Sequence, residues 1–290
     1  MMDFLFSRRV PAGREVNALG RALARRLAEG RPVMNLAEGN PTKAGVFLPG
    51  VEVLAALSRP GCLSYDPDPR GLPSARAAVA AWYASGGVHV DPADLFLAAS
   101  TSEAYGWLFK LLCDPGDAVL VPSPGYPLFD HLAGLEGVES VPYPIEYLHP
   151  QGWRLDLGAF LSVLRNRKPR AVILIHPNNP TGSYIDPSQR SLVLEACRES
   201  RTPVIADEVF LHYALDDRQE PSFAGETDTP CFVLNGISKL LGLPQMKLGW
   251  IVLAGPRAFR SEAASRLEII ADAYLPVGAP ILHALPELLP

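Results

Sequence analysis

The sequence predicts an α/β protein whose central sheet is mostly parallel and covered by helices on both faces. Three observations lead there. Six short apolar runs, rich in branched residues, alternate with helix-like segments. The runs are continuous rather than alternating, the pattern of strands buried on both sides. A chain of 290 residues with 48% hydrophobic composition can also bury a large core.

The elements follow in order. Val16, Leu19, Leu23 and Leu27 recur at helical spacing and are stopped by Gly30 and Pro32, so residues 1–35 are expected to form an N-terminal helix or arm. "DLFLAA" at 94–99 reads as a strand, and "TSEAYGWLFKLLCDPGD" after it as a helix stopped by Pro115 and Gly116. "AVLVP" at 118–122 and "AVILI" at 171–175 are strands. "DPSQRSLVLEACRES" has the logic of a helix start, with Asp186 as N-cap, Pro187 at the first position and Gln189 three after the cap. Leu192, Val193, Ala196 and Cys197 mark its buried face. "PVIA", "CFVLN" and "GWIVLA" complete the set, at 203–206, 231–235 and 249–254.

Composition excludes several functions. A net charge of −5, with "RALARR" reading as a solvated helix face, gives no nucleic-acid surface. The four cysteines form no C-x-x-C pair and the six histidines no H-E-x-x-H, so no metal site is expected. The opening "MMDFLFSRRV" is too short an apolar run for a signal peptide, and no stretch has the length of a membrane span, so a cytoplasmic setting is expected.

Open α/β sheets bind ligands outside the carboxyl ends of their strands. Five of these ends carry unusual groups. Ser100-Thr101-Ser102-Glu103 opens a helix, where unpaired N–H groups and the helix dipole attract an anion. "SPGYPLF" presents Tyr126, "HPNNPTG" presents Asn178 and Asn179, and "PVIA" is followed by Asp207-Glu208. "CFVLN" leads into "NGISKLLGLPQMKLGW", which places Lys239 and Lys247 eight residues apart with no other charge between. Singly, each has an ordinary explanation as a cap, a turn or a surface charge. Together, at successive strand ends, they assemble an anion cradle, a ring platform, an amide donor, a carboxylate and an amine.

With "NLAEGNPT", "NPTG" at 179–182, "ADEV" at 206–209 and "SK..GLP...LGW" at 238–250, the chain resembles the aminotransferase class I/II family, pyridoxal-phosphate enzymes of fold type I. The resemblance implies residues 36–258 as a large cofactor-binding domain and 259–290 as the incomplete start of a linking helix and small domain. It implies Lys239 as the Schiff-base lysine and proton-moving base, and Lys247 as the cation on the cofactor phosphate, where relatives usually carry arginine. Asp207 would hold the ring nitrogen protonated, Tyr126 would stack on the ring and Asn179 would donate to its phenolic oxygen. Thr101, Ser102 and Ser238 would bind the phosphate, Tyr65 would reach the phosphate of a partner subunit in a homodimer, and Gly39 would line the substrate's approach. Phe210 stands where many relatives carry a tyrosine, so one hydrogen bond to the cofactor is missing, and Gly236 stands where relatives often have a serine.

The implied reaction moves an amino group between an amino acid and a 2-oxo acid. A carbon–sulfur β-lyase is the alternative on the same scaffold, and a regulator's cofactor domain ranks last. Because "APILHALPELLP" ends the sequence in a helical segment, Ile281, Leu282, Leu285, Leu288 and Leu289 are expected to lack the surface they normally cover. A chain stopping there would have no carboxylate clamp and would bind cofactor but turn over slowly, since lost positioning can cost ~100-fold.

Overall fold

The computed structural model describes residues 6–10, 16–34, 39–44, 50–214 and 220–289. The start of "NLAEGNPT", residues 35–38, and with it the expected boundary at 36, lies outside the described residues. The chain divides into two units, Met1–Leu48 and Pro49–Pro290. In the first, α1 (Ala18–Ala28) is capped by Asn17, whose side chain accepts from the Gly20 N–H. Arg25 and Arg26 in its last turn suit the negative end of the helix dipole.

The second unit contains the sheet. Its strands are β1 (Leu95–Ala98), β2 (Ala118–Ser123), β3 (Glu139–Leu148), β4 (Gly152–Leu155), β5 (Ala171–Ile175), β6 (Val204–Asp207), β7 (Cys231–Gly236) and β8 (Gly249–Ala254). The helices are α2 (Gly50–Ala56), α3 (Pro73–Ser85), α4 (Thr101–Leu112), α5 (Phe129–Glu136), α6 (Leu157–Arg167), α7 (Pro187–Glu199), α8 (Ile237–Leu240), α9 (Arg257–Tyr274) and α10 (Ala279–Leu288). The sheet order is β1-β8-β7-β6-β5-β2-β3-β4. β7, β6, β5, β2 and β3 run parallel, while β8 is antiparallel to both β7 and β1. The α/β prediction therefore holds, and the six expected strands are present.

Their burial explains why they were readable. Every residue of β1, β5, β6, β7 and β8 is buried, because helices cover both faces. On one face Phe96, Ile173, Phe232 and Ile251 pack with Trp107 and Phe109 of α4 and Leu267 of α9. On the other, Trp250 donates its indole N–H to Tyr83 of α3 at 3.2 Å. Burying one such large apolar side chain contributes about 1.5–3 kcal/mol. Among the described residues no helix is long and apolar enough to cross a membrane.

Three expectations need correction. In α7 the N-cap is Asp186 as expected, accepting from the Ser188 N–H at 2.9 Å, but Gln189 donates to the Leu155 carbonyl instead of closing a capping box. The buried stripe of α7 is Val193, Leu194 and Cys197, and Leu192 faces outward, because at 3.6 residues per turn it lies roughly 150° round the helix from the centre of that stripe. Finally, the apolar residues of α10 are covered: Ile281, Leu282, Leu285 and Leu289 are buried and Leu288 is half-buried. Their surface comes from α3 and α2, which pack on α10.

Candidate active site

The direction of the strands decides what shares an edge. β1, β7, β6, β5 and β2 all end on one side, and because β8 runs the other way, its beginning lies there too. Asp207 is the last residue of β6, Thr101, Tyr126, Asn179 and Lys239 follow strand ends at this edge, and Lys247 lies two residues before β8.

The start of α4, expected to cradle an anion, packs against the β7–β8 crossing. Ser100 caps α4, its hydroxyl accepting from the Glu103 N–H at 3.1 Å, and the Glu103 carboxylate accepts from the Ala99 N–H at 2.6 Å. Capping is thus performed by Ser100 and Glu103, and Thr101 and Ser102 occupy the first turn half-buried. The crossing lies directly on that turn. A Cβ at Gly249 would stand 3.0 Å from the Thr101 nitrogen, and one at Gly236 would stand 2.8 Å from the Leu248 carbonyl oxygen. The Ile237 N–H donates to that carbonyl at 3.1 Å. Lys247, exposed and in the left-handed region at φ 54, lies two residues before Gly249, and Ser238, half-buried, lies two residues after Gly236.

That crowding gives a direct test. Gly236→Ala should lower stability by about 1–3 kcal/mol in urea unfolding, since its Cβ would overlap backbone that cannot swing away. Unchanged stability would contradict the tight crossing.

Asp207 closes β6 and is 7% exposed. Its Oδ2 accepts from the Tyr105 hydroxyl at 3.0 Å and its Oδ1 from the Val209 N–H at 3.2 Å. Burial pushes its carboxyl up to about 6, with these two donors opposing. Tyr126 lies within range of that charge: its own pKa is raised by burial first and by Asp207 second. The Tyr126 ring stands edge-on to Phe129 at 5.9 Å. Glu208 turns the other way and serves structure, accepting from the Ser222 hydroxyl and the Phe223 N–H, both at 2.6 Å. Burial raises its carboxyl to about 7.

The Asn178-Asn179 pair splits its roles. Asn178 is buried and donates to the Pro124 carbonyl at 3.1 Å, tying its loop to the one that bears Tyr126. Asn179 is half-buried beside it. His176, which opens the same loop, is fully buried and accepts from the Ile185 N–H through Nδ1; burial pushes its pKa down to about 3, so it stays neutral. Lys239 sits on α8, half-buried, its ammonium nitrogen 5.6 Å from the centre of the Phe210 ring. Phe210 thus offers Lys239 a ring face and no hydroxyl.

Two neighbours escaped the sequence reading. Tyr105, an aromatic in an apolar helix, reads as core, yet its hydroxyl is on Asp207. Tyr213 donates to the backbone carbonyl of Lys239 at 2.7 Å and packs edge-on to Phe210 at 5.7 Å. Its position three residues after Phe210 was the available signal. Tyr65 is not brought to this edge: it is 76% exposed and lines a separate cavity of about 110 Å³ with Pro276, Gly278 and His283. Gly39 belongs to the first unit, where it is exposed.

The residues at the edge fit pyridoxal phosphate. A helix start tightly backed by two glycines suits its phosphate, a buried carboxylate suits a protonated ring nitrogen, and an amine stands on the adjoining turn.

The sheet order, with one antiparallel strand inside a parallel set, defines the fold type I class. The chain belongs to the family described as aminotransferase class I and II, whose profile matches residues 31–281. It is 31% identical over 268 residues to alanine aminotransferase from Mycobacterium tuberculosis, covering 90% of this chain and 61% of that protein. To glutamate-pyruvate aminotransferase AlaA from Escherichia coli it is 31% identical over 267 residues, covering 90% and 65%. The chain thus spans under two thirds of the length of these relatives. Among solved structures, alanine aminotransferase from Pyrococcus furiosus superposes with a TM-score of 0.81 at 29% identity, covering 93% of this chain and 68% of that one. An aminotransferase from Escherichia coli superposes at 0.84 with 28% identity, covering 99% and 72%.

Proposed function

We propose that this chain binds pyridoxal phosphate and moves an amino group between an amino acid and a 2-oxo acid. The observation that carries the reading is the buried Asp207 carboxylate set at the same sheet edge as the Lys239 amine and the start of α4. When bound, pyridoxal phosphate supplies an electron sink for the charge left behind as the α-proton departs.

The chain's own residues do the rest. Thr101, Ser102 and Ser238 hydroxyls and the first-turn N–H groups of α4 bind the phosphate, and Lys247 neutralises it as a point charge. Asp207 holds the proton on the ring nitrogen. Tyr126 and Asn179 orient the ring by stacking and by an amide donor. Phe210 contributes apolar area where a hydroxyl would have given a further hydrogen bond. Lys239 would be the attachment point, and once the donor's amine has displaced it, its free Nζ would take the proton from the donor's α-carbon and pass it on to the cofactor.

Further parts of the proposal rest on the family and on exposure. Tyr65, exposed here, reaches the phosphate site of a second copy, so the working unit is a homodimer with shared sites. Gly39 lines the substrate's approach. Residues 1–35 serve as an arm and 36–258 as the cofactor-binding domain. A cytoplasmic setting accords with four cysteines that are all free thiols.

The names of the relatives make alanine and glutamate the first donors to test, with pyruvate and 2-oxoglutarate as acceptors. With pyridoxal phosphate added to the pure chain, the donor should convert the cofactor's absorbance and the acceptor should restore it. Release of thiol and pyruvate from a sulfur-bearing amino acid, with no response to any 2-oxo acid, would instead assign the β-lyase.

A further inference from the structure

Tyr105 is 2% exposed, in the second turn of α4, and its ring is held on two sides. Phe129 meets it edge-on at 5.2 Å and Phe109 lies tilted at 5.9 Å. Phe129 is also the ring against which Tyr126 stands, so one aromatic cluster supports both the Asp207 donor and the ring platform. Burial first and the Asp207 charge second hold the Tyr105 phenol well above its ordinary pKa. It therefore remains a donor at every working pH.

We propose that Tyr105 is a positioning residue for the proposed reaction: its hydroxyl fixes the orientation of the Asp207 side chain and favours its ionised form, so that the carboxylate is ready to hold the cofactor's ring nitrogen. Among the described residues each Asp207 oxygen has one donor, and of the two only Tyr105 is a side chain. A hydrogen bond to a charged, buried acceptor is stronger than one between neutral groups. Without it, only the Val209 N–H would oppose burial at Asp207, and the carboxylate would take up its proton more readily. This inference rests on the reading of Asp207 given above.

The competing explanation is that Asp207 merely satisfies a buried hydroxyl, as most buried tyrosines require. Tyr105→Phe separates the two because it keeps the ring and removes one hydrogen bond. Purified Tyr105→Phe should bind pyridoxal phosphate about ten-fold more weakly. In the cofactor-free protein, the Asp207 carboxyl followed by carbon NMR should titrate at higher pH than in the parent. Phe160→Leu, a buried ring of α6 that packs on Tyr143 outside this cluster, is the packing control: it should lower the melting temperature while leaving cofactor affinity and the Asp207 titration in place. If Tyr105→Phe loses only thermal stability, like the control, the hydroxyl is structural and the inference is overturned while the Asp207 role stands. If Asp207→Asn itself binds the cofactor as tightly as the parent and with the same spectrum, the reading of Asp207 fails and this inference fails with it.

Discussion

Lys239→Ala is expected to abolish reducible attachment of pyridoxal phosphate and to slow the donor half-reaction by at least ~10²–10⁴-fold, the usual contribution of one positioned proton-transfer group. The expectation follows from placement. α8 is a single short turn anchored at both ends: the Ile237 N–H donates to the Leu248 carbonyl before the lysine, and Tyr213 grips the lysine's own carbonyl. The side chain therefore leaves a backbone that cannot drift, beside Phe210 and at the same edge as Asp207. Lys247 is a poor substitute as base, being exposed at the far end of the crossing. Stopped-flow absorbance with alanine or glutamate measures the effect, and a loss under ten-fold would assign proton transfer elsewhere.

Asp207→Asn is expected to bind some cofactor but lose most half-reaction rate, about 100-fold or more, because a neutral amide cannot keep the ring nitrogen protonated as charge develops. The same substitution should stabilise the cofactor-free protein. The Asp207 carboxyl is pushed up to about 6 by burial, against about 3.9 in an unfolded chain. The folded state thus holds this proton more tightly, so the group's stabilising contribution is complete below about pH 4 and is lost as pH rises through about 6. Above that pH the fold carries an ionised buried carboxylate at a cost on the order of 3 kcal/mol. Asparagine carries none, so the variant should unfold at higher denaturant at pH 8, with the difference closing near pH 4. Near-normal turnover would remove the electron-sink role, and equal stability at pH 8 would contradict the burial of the charge.

The fold was legible wherever burial was two-sided. β5, β6, β7 and β8 lie inside the sheet, and their continuous apolar runs announce it. β3 and β4 were missed for a physical reason. β3 contains Pro142 and Pro144 and alternates buried with exposed residues; it pairs with β2 through its first six residues and with β4 only through its last four. Prolines and polar positions near a sheet edge mimic a loop. The partners of α10 were unreadable because the residues covering it lie about 200 positions earlier, on α3 and α2.

The candidate site divides along the same line. Thr101, Tyr126, Asn179, Asp207 and Lys239 could be found because each follows an apolar run, and the edge they share needs only the rule for open sheets. Lys247 reaches that edge because β8 is antiparallel, a fact of topology that no local pattern displays. Tyr105 and Tyr213 were hidden because their roles depend on contacts 102 and 26 residues away. The glycines at 236 and 249 look like turn residues, whereas their work is steric, letting two strands and a helix start meet within about 3 Å.

The most direct test of the account is to load the protein with pyridoxal phosphate, reduce it with borohydride and map the modified peptide. A single pyridoxyl group on Lys239 is the expected result. Modification of Lys247 instead, or no modification at either lysine with cofactor in excess, would contradict it.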